Sequence, residues 1–339
     1  MKIGLAGAGR MGAFHAELLQ GIPEVGCLVV ADADASRARA VAHRLGVDAV
    51  DDVEELLGGG LDGLVVTTAT DAHTPLIKQA AAAGIPVFCE KPVAHDVAGT
   101  LEVIEVVEDA GIPVQVGFQR RFDAGHRAAR EALRSGRLGW VHTVRSCTLD
   151  PAPPAPEYVA VSGGLFRDCG VHDFDAIRWV TGREVVEVFA LGTNRGAAFF
   201  REWGDIDTGA ALLTLDDDTI AIVSCTRYNA AGYDVRLELL GSTDSIVAGL
   251  DGGAPLTPAE PGLAGPHGSF SPADPAYRHF TERFRDAYAA ELRAFAHLVG
   301  NGGESPCAPT DALEALYVAE ACERSRRERR PVRVGEVRR

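Results

Sequence analysis

What the 339-residue chain lacks narrows the field first. No run approaches the ~20 uninterrupted apolar residues that cross a bilayer, so no membrane partner is expected. Basic residues are not in excess: 33 Lys and Arg stand against 48 Asp and Glu, a formal charge of −15. Such a surface repels phosphate backbones and anionic lipid, which argues against nucleic acid as a ligand. The arginine-rich end, Arg324 to Arg330, is interleaved with Glu328 and suits a solvated helix terminus. No CxxC pair occurs. The seven cysteines (Cys27, Cys89, Cys147, Cys169, Cys225, Cys307 and Cys322) are odd in number and far apart, a pattern of reduced thiols without a disulfide framework or structural metal. The opening Met1-Lys2-Ile3-Gly4-Leu5-Ala6 runs straight into glycines with no export-type apolar segment, so a cytoplasmic location is expected. Internal repeats are absent too. What remains is globular: 46% hydrophobic and 24% charged residues, in a length that predicts two domains.

The first ~118 residues alternate between two patterns. Short apolar runs at 2–6, 26–31, 63–67, 87–89 and 114–118 predict buried strands, and segments at 11–20, 36–45, 74–83 and 97–110 have helical periodicity. That alternation predicts an α/β domain with a parallel, doubly wound sheet. Beyond residue 120 the runs at 141–149, 185–191, 210–215, 219–228 and 235–240 are β-rich, with Asp216-Asp217-Asp218 as a hairpin turn and one helix at about 164–180. This predicts an α+β domain with an open, mostly antiparallel sheet, and domains at 1–119 and 120–339. The stretch 250–275 is rich in Gly and Pro and predicts an irregular loop. Two closing helices, near 281–299 and 311–327 with Thr310 as N-cap of the second, are candidates to pack back on the first domain.

Gly7-Ala8-Gly9-Arg10-Met11-Gly12 is a G-x-G-x-x-G loop between a strand and a helix. Gly7 permits the tight turn, Gly9 lets a pyrophosphate approach the backbone, and Gly12 allows close helix–strand packing; the helix N-terminus favours the phosphates. Asp32 ends the second strand twenty residues after Gly12. A carboxylate there accepts from a ribose 2′-hydroxyl and repels a 2′-phosphate, so NAD is favoured over NADP despite Arg37 nearby. Glu90-Lys91-Pro92 directly follows the run 87–89. Ligands of an open parallel sheet bind beyond the carboxyl ends of its strands, which places Glu90 and Lys91 at the nicotinamide end of the cofactor. Pro92 restricts Lys91, whose ammonium would steady an alkoxide developing on a substrate. Thr68, Ala69, Thr70 and His73 border the same edge, although His73 taken alone is equally a loop histidine.

In the segment Gly163 to Asp175, a pitch of about 100° per residue puts Asp168, His172, Asp175 and Trp179 within roughly a 60° wedge of one helix. Val171, Phe174, Ile177 and Val180 take other faces, interrupted by Arg167 and Arg178. A solvated polar face is the plain alternative, but histidine and tryptophan suit a partly wet cavity better than open surface. Oxidising a secondary alcohol by hydride transfer requires loss of the hydroxyl proton, and a histidine with an ordinary pKa near ~6.5 takes it at neutral pH.

In this order the glycine loop, Glu90-Lys91-Pro92, Gly163-Gly164 with Asp168 and His172-Asp173, and the closing segment 311–325 resemble the glucose–fructose oxidoreductase/inositol dehydrogenase/MocA family over nearly the whole chain. The resemblance implies an NAD-binding Rossmann domain followed by an open-sheet domain through which dimers or tetramers form. It makes Lys91, Asp168 and His172 the catalytic group, with His172 as acid/base. Gly117-Phe118-Gln119-Arg120-Arg121-Phe122-Asp123 and Gly232-Tyr233-Asp234 are similar to stretches of the inositol dehydrogenases, which implies polyol contacts for Arg120 and Tyr233. The implied reaction is NAD-dependent oxidation of a cyclitol or sugar secondary alcohol to a ketone, foremost at C2 of myo-inositol, with another pyranose or an amino sugar as the neighbouring possibility. Cys169 and Gln119 depart from the family pattern and leave the stereoisomer open. A non-catalytic NAD-binding regulator would not need Lys91, Asp168 and His172 together, and a methyltransferase would have no role for Glu90-Lys91-Pro92.

Overall fold

A computed structural model of the chain describes residues 1–256 and 275–338. It divides into two units, Met1–Phe122 with Asp286–Glu314, and Asp123–Arg285 with Ala315–Arg339.

In the first unit the elements run β1 (Lys2–Ala6), α1 (Arg10–Gln20), β2 (Cys27–Ala31), α2 (Ala35–Leu45), β3 (Asp48–Ala49), α3 (Val53–Gly58), β4 (Gly63–Val66), α4 (His73–Ala82), β5 (Val87–Glu90), α5 (Val97–Ala110) and β6 (Val114–Gly117). The strands form one parallel sheet of order β3-β2-β1-β4-β5-β6. This is the doubly wound arrangement, with its topological switch between β1 and β4. Its strands are near-continuous apolar runs because both faces are covered: Ile3, Leu5, Val30, Val65 and Phe88 are all fully buried. Local chemistry sets the helix limits. Asp34 caps α2 by accepting from Ser36 N at 3.0 Å, Asp96 caps α5 by accepting from Gly99 N at 2.8 Å, and both helices stop at left-handed glycines, Gly46 and Gly111. β3 and α3 give no periodic signal because they are only two and six residues long.

The second unit contains α6 (Ala124–Arg134), β7 (Val141–Leu149), α7 (Pro156–Val159), α8 (Val171–Thr181), β8 (Val185–Thr193), α9 (Phe199–Glu202), β9 (Thr208–Leu215), β10 (Ile220–Thr226), β11 (Asp234–Gly241), β12 (Ser245–Ala248) and α10 (Phe280–Arg283). The chain closes with α11 (Arg285–Asn301), α12 (Pro309–Glu328) and β13 (Val332–Arg333). Seven strands pair in the order β12-β11-β7-β10-β9-β8-β13, antiparallel throughout except for β7 with β10. The turn of the β9–β10 hairpin falls on Asp216 to Asp218, with Asp218 at φ 65°.

Three expectations need correction. The segment 164–180 is not one regular helix, because Phe166–Gly170 is a π-helical turn that leads into α8. The first closing helix is divided between α10 and α11. Thr310 is not the N-cap of α12: Pro309, with no N–H to satisfy, opens that helix, and the Asp311 carboxylate accepts from Ala308 N at 2.9 Å. Of the expected loop at 250–275, residues 257–274 lie outside the described residues.

Candidate active site

The glycine loop joins β1 to α1. Gly7 sits at φ 100°, its N–H donates to Ala31 O at 2.8 Å, and a Cβ there would lie 2.7 Å from the Thr67 backbone. Gly12 is tighter still, since a Cβ would fall 1.7 Å from Gly7 O. Gly9 is the opposite case. It stands at the N-cap of α1 with nothing within 4 Å of an added Cβ, and no side chain caps the helix. The loop therefore presents backbone, a helix N-terminus and open space at one point, with Arg10 exposed and Met11 half-buried beside it. Asp32 follows β2, and its carboxylate accepts from Ala8 N at 2.6 Å and Asp34 N at 2.8 Å. Two oxygens with about four lone-pair directions retain capacity for a ribose hydroxyl. These residues fit a dinucleotide.

The edge is braced by side chains whose roles sequence reasoning missed. Thr67 Oγ1 donates to the Gly7 and Ala6 carbonyls at 2.8 and 3.1 Å. His15, fully buried on α1, donates from Nε2 to Glu90 Oε1 at 2.6 Å, and Glu90 Oε2 accepts from Lys91 N at 3.2 Å. Its signal was available: Gly12, His15, Ala16 and Leu19 form the buried stripe of α1, and a histidine on an apolar stripe needs a partner. Thr68 and Ala69 follow β4, and Thr70 begins a 3-10 turn that leads into His73 at the start of α4. His73, directly after the β4 loop, is buried with Nδ1 2.7 Å from Pro92 O and Nε2 3.1 Å from Thr68 O; the neutral ring has one N–H, and donated at the shorter contact it ties the loop after β4 to the loop after β5. Burial holds its imidazole below the ordinary histidine value, against the two carbonyls, which favour the proton. Lys91 is half-buried, and the Lys91–Pro92 peptide is cis. Arg120 lies in the 3-10 turn Gln119–Phe122 after β6 and is 1% exposed.

In the second unit, Asp168 occupies the π-helical turn and His172 the first turn of α8. The wider turn changes the angular spacing assumed for the wedge. Asp175 is fully buried rather than facing a cavity, and Trp179 is half-buried beneath Arg130, whose guanidinium carbon lies 4.4 Å from its ring centre. The neighbouring Asp173 anchors α8 to the sheet, accepting from Ser146 Oγ at 2.5 Å and Thr148 Oγ1 at 2.6 Å. Asp168 accepts from Tyr158 Oη at 2.8 Å and from Arg227 Nη2 at 2.6 Å, while Arg227 Nη1 reaches Asp150 Oδ2 at 2.8 Å. Neither Tyr158 nor Arg227 was anticipated. Arg227 was detectable, because it continues the inward phase of Ala221, Val223 and Cys225, and an arginine in that phase must be paired. Tyr233, immediately before β11, is buried in edge-on contact with Phe280 and Phe284.

Among the described residues no cluster suited to a metal ion occurs, and no helix is long and apolar enough to cross a membrane. Comparison with known proteins accounts for both units. Residues 1–118 match the model of an oxidoreductase family with an NAD-binding Rossmann fold, and residues 126–247 match the GFO/IDH/MocA C-terminal domain. The chain is 38% identical over 328 residues to a myo-inositol dehydrogenase of Streptomyces leeuwenhoekii, covering 96% of this chain and 97% of that one. It is 35% identical over 340 residues to the myo-inositol 2-dehydrogenase of Thermotoga maritima, covering 99% of each. The crystal structure of scyllo-inositol dehydrogenase from Lactobacillus casei with bound NAD(H) and scyllo-inositol superposes with a TM-score of 0.86 at 29% identity, covering 99% of both chains. The glycine cradle, the carboxylate after β2 and these matches over both units make the chain an NAD-dependent member of the glucose–fructose oxidoreductase/inositol dehydrogenase/MocA family of oxidoreductases.

Proposed function

We propose that this dehydrogenase oxidises a ring secondary alcohol of a cyclitol, foremost C2 of myo-inositol, to the ketone. The observation that carries the reading is the anchoring of Asp168, one helical turn before His172, by a buried arginine and a phenol, in a chain whose relatives act on inositols. When bound, NAD supplies the acceptor for the hydrogen on the carbinol carbon, which leaves with both electrons of its bond. His172 takes the hydroxyl proton as the C=O bond forms. Lys91 offers positive charge to the oxygen while its proton departs. Asp168 orients the imidazole and a ring hydroxyl, and Arg120 and Tyr233 add contacts to the polyol. Gly7, Gly9, Arg10, Met11, Gly12, Asp32, Thr68, Ala69, Thr70, His73 and Glu90 form the cofactor's surroundings.

The enzyme works as a homo-oligomer, dimer or tetramer, in the cytoplasm. Two observations support this. No two of the seven cysteines are joined in a disulfide. The outer face of the second sheet carries an apolar patch over β8, β9 and β10 where solvent would favour polar side chains: Phe189, Leu212 and Ile222 are cross-strand neighbours, and Leu191 and Ile220 are exposed on the same strands.

The test is NAD reduction followed at 340 nm across inositol isomers, free sugars and amino sugars, repeated with His172→Ala. Turnover should be greatest with an inositol and fall about 10²–10⁴-fold in the variant, with NAD affinity unchanged. Equal turnover in the variant removes His172 from its role, and a preference for free sugars overturns the substrate.

A further inference from the structure

One buried, doubly paired charge of the second unit is not used by the reading above. Arg227 follows β10, is only 4% exposed, and divides its guanidinium between two carboxylates, Asp150 at 2.8 Å and Asp168 at 2.6 Å. We infer that Arg227 is a positioning residue for the oxidation: shared between Asp150 and Asp168, its charge holds the Asp168 carboxylate ionised and oriented one turn before His172, and so sets the pH below which His172 no longer accepts the substrate proton. The inference rests on the dehydrogenase reading and adds a residue to it.

The charge balance carries the argument. Three segments around Arg227 bring groups of negative or potentially negative character. Asp150 follows β7, Asp168 and Cys169 lie in the π-helical turn, and Asp205, before β9, is also coupled electrostatically to Arg227. Cys169 Sγ lies 3.6 Å from Asp150 Oδ2. Tyr158 on α7 meets the other Asp168 oxygen, Glu323 acts on Asp205, and the nearby Arg167 is paired with Glu320 at 2.5 Å. One cation thus faces three carboxylates and a thiol. Burial alone would disfavour charge on the guanidinium, but the surrounding negative groups outweigh it and hold the group firmly protonated. Removing that cation leaves the cluster more negative by a full charge. A proton bound at His172, or at Asp168 itself, then gains stability, and the base is blocked up to a higher pH. Removing Asp150 instead does the reverse, because the whole guanidinium charge falls to Asp168. Lysine would keep the charge but, as a point donor, could not span both carboxylates.

The experiment is the pH dependence of kcat/KM for NAD reduction with myo-inositol in wild type, R227M, R227K and D150N, with NADH binding by fluorescence as a check on the fold. R227M should move the acid limb up by about one pH unit and lower kcat/KM at pH 7 at least ten-fold. R227K should restore the limb to the wild-type position while turnover stays low. D150N should move the limb to lower pH, and it carries the test alone if R227M does not fold. NADH affinity should stay within two-fold throughout. An unmoved limb in R227M, or in D150N, with NADH binding intact overturns the role of Arg227 and leaves the dehydrogenase reading standing. A wild type that turns over no polyol overturns that reading first, and this inference with it.

Discussion

Two alanine substitutions in the glycine loop separate its duties. At Gly12 an added methyl would lie 1.7 Å from Gly7 O and 2.8 Å from Thr67 Oγ1, so the β1–α1 turn must open by more than an ångström. Overpacking against backbone, which cannot rotate away, costs about 3 kcal/mol or more. A unit of this size loses about 2–4 °C of Tm per kcal/mol, so Gly12→Ala should melt roughly 6–12 °C lower. At Gly9 nothing lies within 4 Å of the new methyl, and φ of −67° is open to alanine. Its poorer helix capping and its smaller unfolded-state entropy nearly cancel, leaving Tm within about 2 °C of wild type. The Gly9 methyl does occupy the space that a pyrophosphate would enter. Gly9→Ala should therefore weaken NAD binding at least ten-fold, about 1.4 kcal/mol, with its fold intact. Differential scanning fluorimetry and calorimetric titration with NAD read the two quantities separately. Unchanged NAD affinity in a normally melting Gly9→Ala protein would show that the phosphates lie elsewhere.

Three further outcomes follow from the structure. Asp32→Ala removes both the acceptor for Ala8 N and the repulsion of a 2′-phosphate; the ratio of kcat/KM with NADP to that with NAD should rise at least ten-fold, and an unchanged ratio counts against Asp32 as the ribose partner. His73, held neutral by burial, has a folded pKa below the 6.5 of the unfolded chain, so unfolding takes up a proton once pH falls below 6.5. Its contribution is complete above that pH and is lost as pH drops; thermal melts between pH 7.5 and 5.5 should fall more steeply in wild type than in His73→Gln, and parallel slopes would refute the assignment. Leu212→Glu places a charge between Phe189 and Ile222 on the outer sheet face. Sedimentation velocity should find multiples of 35.8 kDa in wild type and the single-chain mass in the variant; a wild type already at 35.8 kDa refutes assembly through that face.

Sequence reading went furthest where the backbone alone limits the residue. The glycine loop, Asp32 and the strand ends were legible because a turn that excludes a Cβ, or a sheet buried on both faces, admits few residue types. The bracing side chains were not. His15 and Glu90 are 75 residues apart, and Arg227 and Asp168 are 59 apart; each pair meets only because of strand order or the packing of α8 on its sheet, which no local pattern encodes. Tyr158 lies on a four-residue helix too short for periodicity to reveal. The wedge misled in two ways: a constant turn angle was carried through the π-helical turn that holds Asp168, and helical periodicity alone does not tell a carboxylate facing a cavity from Asp175, which is fully buried on the regular helix beyond that turn.

The bracing explains how the loops at the carboxyl ends of β1, β4 and β5 are held together. The glycine loop, the segment after β4 and the Glu90-Lys91-Pro92 corner are three separate loops, each free to shift if held only by its own strand. Thr67 binds the first to β4, His73 binds the second to the third, and His15 binds the third back to α1, which the first loop opens. The ring of contacts closes, so no loop moves without breaking a buried hydrogen bond, at a cost of about 1–3 kcal/mol each. Rigidity of that kind is what positions the Lys91 backbone, since Glu90 holds its N–H while being held by His15. Glu90→Ala should then act at a distance, leaving His15 buried without its acceptor and loosening Lys91 together with the cofactor helix. Lower Tm and a fall in kcat should appear together, and His15→Ala should reproduce both. If Glu90→Ala on a His15→Ala background costs as much again as it does alone, the two residues act independently and the closed ring is wrong.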